Sequence, residues 1–185
     1  FTGPNSPPGA LMAIEGGDAF EGDIGHLDAF YALGVRMVTL MHHVDNEIGI
    51  HQRSRSDGPL HPFGVRVVER MNELGMIVDV AHAKTKTLKA IQEVSAFPLV
   101  DSHTNPLPLG RTTPRPTRLR TWAEMERVAE TGGVVCTWPL AYSGGSFSRI
   151  TLGDWADEIV EMKARLGVEH VGLGTDGGGN LPRRV

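Results

Sequence analysis

Apolar runs alternate with helix-period segments from one end of the chain to the other. Continuous or alternating apolar stretches predict strands at Ala10–Ile14, Val35–Met41, Met76–Val80, Pro98–Val100, Gly133–Thr137 and His170–Gly174. Between them, Ile24, Leu27, Phe30 and Tyr31 recur at helical spacing and stop at Gly34. Val65, Val68, Met71 and Leu74 do the same and stop at Gly75, and Leu88, Ile91 and Val94 stop ahead of Pro98. Thr121-x-x-Glu124 and Thr151-x-x-Asp154 have the form of capping boxes, in which each side chain satisfies an amide the helix start leaves open. They open two more helices, carrying Met125 and Val128, then Ile159, Met162 and Leu166, with Gly132 and Gly167 as stops. Five helices in strict alternation with six strands predict an α/β fold with a parallel sheet and right-handed crossovers. No repeat, linker or low-complexity segment interrupts the alternation, so residues 1–185 read as a single domain.

The connections are unequal. Helix-to-strand links are very short, as at Gly34-Val35, Gly75-Met76, Gly132-Gly133 and Gly167-Val168. Three strand-to-helix links are long: His43–Pro62, Thr104–Arg120 and Pro139–Thr151. In parallel α/β folds those loops lie at the carboxyl ends of the strands, where ligands bind.

Composition narrows the classes. With 185 residues, 40% hydrophobic and 22% charged, and a net charge of −4, the chain is neither disordered, nor collagen-like, nor a strongly basic nucleic-acid binder. No apolar run approaches the ~18 residues of a membrane span, and no segment resembles a signal peptide, which favours a cytoplasmic setting. Cys136 is the only cysteine, excluding a disulfide framework and a thiolate zinc finger. The chain begins at Phe1 and stops at Pro182-Arg183-Arg184-Val185, soon after a strand and a glycine cluster, so a part of a longer domain is expected.

The candidate chemistry falls on the strand ends. The first predicted strand runs into Glu15, the second into His42-His43, the third into Asp79-Val80-Ala81-His82, the fourth into Asp101-Ser102-His103 and the last into Asp176. A carboxylate at the end of a core strand needs a partner, because buried charges are rare unless paired or metal-bound. Glu15, His42, His82, His103 and Asp176 should converge at one end of the sheet, where imidazoles and carboxylates without a thiolate suit zinc or a similar divalent ion. Asp79 and Asp101 are candidates to orient the histidines. His26 and His170 read as structural, and His51 and His61 as solvated loop residues. Gly16-Gly17 and Gly177-Gly178-Gly179 match no phosphate-binding motif, and Cys136 has no histidine at a diagnostic spacing. Arg111, Arg115, Arg118 and Arg120 make the loop after His103 basic, either as a solvated loop or as a clamp for a substrate carboxylate.

Several runs together resemble the membrane (renal) dipeptidase family, zinc metallopeptidases of the amidohydrolase-like (β/α)8 barrel type. They are Ile14-Glu15-Gly16-Gly17, Leu33-Gly34-Val35-Arg36, Thr39-Leu40-Met41-His42 with Asn46, Phe63-Gly64, and Met71-Asn72-Glu73-Leu74-Gly75-Met76. Asp79-Val80-Ala81-His82, Ser102-His103, Gly132-Gly133-Val134-Val135 and His170-Val171-Gly172-Leu173-Gly174-Thr175-Asp176 follow in the same order. The resemblance implies a partial barrel of about six strands, the third to the eighth, without the first two strands and the final helix. It implies zinc-dependent hydrolysis of dipeptides by a metal-bridged hydroxide, with two zinc ions in a complete site. Glu15 would bridge the ions, His82 and His103 would hold the second, His42 would contact the scissile carbonyl and Asp176 would shuttle the proton. Arg118 would bind the substrate carboxylate, with Arg111 as the competing choice, since Leu119 stands where the family has asparagine.

Two departures accompany the resemblance: no His-x-Asp pair for the first zinc precedes Glu15, and the Asp-x-Asp-Gly turn appears as Asp176-Gly177-Gly178-Gly179. The expected partner is a small dipeptide and no nucleic acid or membrane, with a homo-oligomer left open. Hydrolysis of a lactam or other small amide, or an inactive fragment lacking the first metal pair, are the competing expectations.

Overall fold

A computed structural model of the chain describes residues 9–107, 117–139 and 151–176. Six parallel strands follow one another in sheet order: β1 (Met12–Glu15), β2 (Val35–Thr39), β3 (Ile77–Asp79), β4 (Val100–Thr104), β5 (Val134–Thr137) and β6 (Val171–Leu173). The crossovers are helices α1 (Ile24–Ala32), α2 (Pro62–Leu74), α3 (Thr85–Val94), α4 (Trp122–Glu130) and α5 (Leu152–Leu166). Each helix packs against the next, so they form one layer over the sheet. This is the wall of a (β/α) barrel, with β1 and β6 as its edges among the described residues. No helix among the described residues is long and apolar enough to cross a membrane.

Local chemistry sets the helix limits. Thr121 Oγ1 accepts from the Glu124 amide at 3.3 Å while Glu124 Oε2 accepts from the Thr121 amide at 2.8 Å. Thr151 and Asp154 make the same reciprocal pair at the start of α5. Pro62 begins α2, where a missing amide costs nothing, and Gly75 ends it at φ 67°. The core lies between sheet and helices, with Leu27, Val38, Val67, Val68, Met71, Leu88, Ile91, Met125 and Met162 fully or almost fully buried.

One strand departs from the apolar pattern. β4 runs over Val100–Thr104 rather than Pro98–Val100. Its residues Asp101, Ser102 and His103 are polar, yet the Val80 amide bonds the Val100 carbonyl at 2.7 Å and Val100 and Asp101 pair with Val134 and Val135. Two short 3-10 turns, Gly17–Phe20 after β1 and Val168–His170 before β6, also have no counterpart in the hydrophobic pattern.

Candidate metal centre at the carboxyl ends of the strands

Glu15 is the last residue of β1, and the chain turns away sharply behind it. Gly16 sits at φ 106°, and a Cβ on Gly17 would stand 2.7 Å from the Leu40 carbonyl oxygen and closer still to Ile48. The glycine pair therefore lets the Glu15 turn seat against β2, and no phosphate cradle is needed to explain it. His42 lies three residues past β2 and His103 within β4. His82 follows β3 on a tight turn at φ 65°, a left-handed conformation uncommon for a residue with a side chain.

The side chains meet as the strand ends suggest. Glu15 Oε1 lies 3.1 Å from His82 Nε2 and 3.2 Å from His103 Nε2, and the two nitrogens are 2.9 Å apart. His42 Nε2 stands 3.5 Å from the same Glu15 oxygen. Asp176 joins from the end of β6, its carboxylate falling within 4.8 Å of ligand atoms of Glu15 and His103. Two donor groups thus share Glu15: one with His42 and His82, the other with His103 and Asp176. The triangle of Glu15, His82 and His103 has the dimensions of a single coordination sphere, since two donors on a tetrahedral zinc are about 3.3 Å apart.

A hydrogen-bond chain orients His103. Ser102 Oγ donates to Asp79 Oδ2 at 2.6 Å and so accepts from His103 Nδ1 at 2.8 Å. With its proton on Nδ1, the neutral ring presents a lone pair at Nε2, as a metal ligand must. Asp79 is fully engaged: Thr39 Oγ1 also donates to Oδ2 at 2.5 Å, and the Ala81 and Ser102 amides donate to Oδ1. The Trp138 ring closes the far side of His103 at 5.1 Å.

The electrostatics follow from burial and contact. Hydrogen bonds from His103 and then His82 hold the Glu15 carboxyl far below the usual carboxylate range. Burial pushes His82 down to about 4. Burial also depresses His103, but the Glu15 hydrogen bond and the Asp79 charge outweigh it and leave the group raised. Cys136 is pushed up to about 11 by burial and by Asp101 and Asp79, so its thiol is no nucleophile at neutral pH.

Asp101 does something other than orient a histidine. It bonds Arg120, whose guanidinium is 1% exposed and occupied throughout. Arg120 Nε donates to Asp101 Oδ2 at 2.8 Å, NH2 donates to the Val80 carbonyl at 2.6 Å, and NH1 donates to the Ala83 carbonyl. Those carbonyls flank Ala81 and His82, so Arg120 belongs to the scaffold of the site and not to a clamp for substrate. Its position one residue before the Thr121 capping box is the only local hint of that. Of the arginines described in that basic loop, Arg118 is the one near the site surface: its NH2 donates to His43 Nδ1, and the His43 ring stacks on His42 at 3.5 Å. Arg111, Arg115 and Gly177-Gly178-Gly179 lie outside the described residues.

His26 and His170 are structural, with Nδ1 bonded to the Phe20 and Gly133 carbonyls at 2.9 and 2.8 Å. His51 is not a solvated loop residue. Asp45 Oδ1 holds its Nδ1 at 2.7 Å, Ser54 supports Asp45 from the other oxygen, and only 14% of the His51 side chain is exposed. His61 is half-buried, and its amide bonds the Ile48 carbonyl.

Comparison with known proteins adds the family context. The profile of the membrane dipeptidases, peptidase family M19, matches residues 8–183. An uncharacterized dipeptidase of Schizosaccharomyces pombe is 32% identical over 89% of this chain and 40% of its own length. The dipeptidase verJ of Clonostachys rogersoniana is 30% identical over 90% of this chain and 42% of its own. Among solved structures, an amidohydrolase from Pseudomonas aeruginosa superposes with a TM-score of 0.80 at 29% identity, covering 94% of this chain and 50% of that one. The chain thus spans about half the length, or less, of the relatives it matches.

Proposed function

The chain belongs to the membrane dipeptidase family, peptidase family M19, and on that premise we propose that it carries most of the active site of a zinc-dependent dipeptidase. The observation that supports this reading best is the triangle of Glu15, His82 and His103, three donor atoms within 3.2 Å of one another at the carboxyl ends of three parallel strands. Glu15, His82 and His103 would hold the metal, with Glu15 common to both donor groups and so suited to touch two ions. Zinc bound there supplies Lewis acidity and an activated water at neutral pH.

The chain's own residues supply the remaining functions. His42, beside Glu15 and more open than His82 or His103, would donate to the carbonyl oxygen as negative charge builds on it. Asp176 lies at the exposed edge of the group, where a carboxylate can take a proton from water and return it to the departing nitrogen. Arg118, which lies against His43, would bind the substrate's free carboxylate, with Arg111 the alternative. A carboxylate requirement so near the scissile bond would select short peptides over proteins.

The amidohydrolase from Pseudomonas aeruginosa favours a second reading, hydrolysis of another small amide such as a lactam. A substrate panel with and without added zinc separates the two. Dipeptide cleavage that depends on zinc and disappears with metal binding in His82→Ala is the expected result. Cleavage of lactams but of no dipeptide would sink the leading reading.

A further inference from the structure

Next to the metal-site residues lies a cavity of about 360 Å³ lined by His43, His51 and Arg53. It opens one ring away from the donor cluster, because His43 stacks on His42 and His42 faces Glu15. Arg53 gives it one cationic wall, and no ion pair neutralises that guanidinium among the described residues. All 22 Asp and Glu side chains fall among the described residues, and none pairs with Arg53. Arg70, Arg120 and Arg165, by contrast, each hold an Asp or Glu. Two acids on the same loop are already spent: Asp45 Oδ1 takes the His51 amide and Nδ1 and its Oδ2 the Ser54 hydroxyl, while Asp57 pairs with Lys86. Arg118 adds a further positive charge against His43.

We infer that this cavity is a second anion subsite, which takes the side-chain carboxylate of an acidic residue in the substrate. The inference rests on the dipeptidase reading, in which Arg118 or Arg111 already engages the terminal carboxylate. A second cation on a separate wall then has a role only if the ligand brings a second negative charge. A guanidinium suits a carboxylate because its donor fork matches the two oxygens. His51, anchored through Nδ1 by Asp45, supplies a fixed polar wall. A neutral dipeptide would leave Arg53 in water, at no cost and with no gain.

Ala-Asp and Ala-Asn are nearly isosteric and differ in that one charge, so their binding to the metal-free protein, followed by calorimetry, tests the subsite without turnover. Ala-Asp should bind about tenfold more tightly, the size of one charge-assisted contact at a partly exposed site. Arg53→Met should bring the ratio close to one while leaving Ala-Asn unchanged, and Arg53→Lys should restore part of it. The preference should shrink with added salt. Equal binding of the two, no binding of either, or a ratio that survives Arg53→Met would overturn the subsite. Hydrolysis of Ala-Ala by the zinc-loaded protein reports on the dipeptidase reading separately, so either idea can fail without the other.

Discussion

His82 and His103 face each other nitrogen to nitrogen, with their Nε2 atoms 2.9 Å apart. Two lone pairs repel at that distance, so either a proton or a cation must lie between them. Burial keeps His82 neutral at pH 7, and Ser102 commits His103 Nδ1 to a hydrogen, so in the metal-free chain a proton on one of the two Nε2 atoms bridges the pair.

Metal uptake must displace that proton, and it expels one to solvent to the extent that His103 is cationic. Glu15, far below the carboxylate range, is already ionised and offers no competing proton near neutrality. His103 is raised, so protons compete with the metal increasingly as pH falls through and below its raised value. Calorimetric titration with zinc in buffers of different ionisation enthalpy should show a proton release that grows as the pH is lowered. A release that does not grow as the pH falls would contradict the raised His103.

The left-handed backbone at His82 predicts an inverted order of stability among two substitutions. Both His82→Gly and His82→Ala remove the ligand and should abolish metal binding. Glycine accepts φ 65° freely, whereas alanine keeps a strain of about 1–2 kcal/mol. His82→Gly should unfold at the higher denaturant concentration, the reverse of the usual ranking of these residues. An alanine variant as stable as the glycine one would show that the turn stores no strain.

Ser102→Ala tests the link between Asp79 and His103. The Asp79 carboxylate keeps Thr39 and two amides, so the fold should lose only about 1 kcal/mol. His103 loses its orienting acceptor, and metal affinity should drop about 10–100-fold. Unchanged affinity in a competition assay with a chromophoric chelator would remove Ser102 from the site's support.

Arg120 and its acids make the largest predicted effect on stability. Arg120→Met strands Asp101, whose Oδ1 already has no partner, and should cost about 3–5 kcal/mol in chemical denaturation. Replacing Asp101 by Asn in the same variant should recover part of it. The pH dependence has a definite sign. Burial pushes the Glu124 carboxyl up, but the Arg120 charge and the Thr85 and Thr121 hydrogen bonds outweigh it and leave it lowered from 4.5. The stabilisation is present above that unfolded value and is lost as pH falls below it toward the folded one. Glu124→Gln should flatten the loss of stability below pH 4.5, and an unchanged acid profile would contradict the pairing.

The alternation of strands and helices was legible because caps and stops act within a few residues: Thr121 with Glu124, Thr151 with Asp154, and Gly75 after Leu74. The strand-end residues were legible for a related reason. A charge beside an apolar run stands out, and parallel strands place their carboxyl ends together. β4 was misplaced because the residues that line the site replace the apolar ones that would reveal a strand. Arg120 and His51 were hidden for another reason. Their partners, Asp101 with the Val80 and Ala83 carbonyls in one case and Asp45 in the other, are set by tertiary closure. A charged residue in a basic loop gives no local sign that it will be buried.

The placing of one donor on each of several parallel strands also bears on the order of folding. Glu15 meets His82 across 67 positions of chain, and His82 meets His103 only once β3 and β4 are aligned. No single hairpin or helix pair can make a partial version of the centre, so it must arise late, after the slow long-range strand pairings are complete. Metal capture would then work as a checkpoint on β1 above all: with that strand out of register, Glu15 is lost from both donor groups at once.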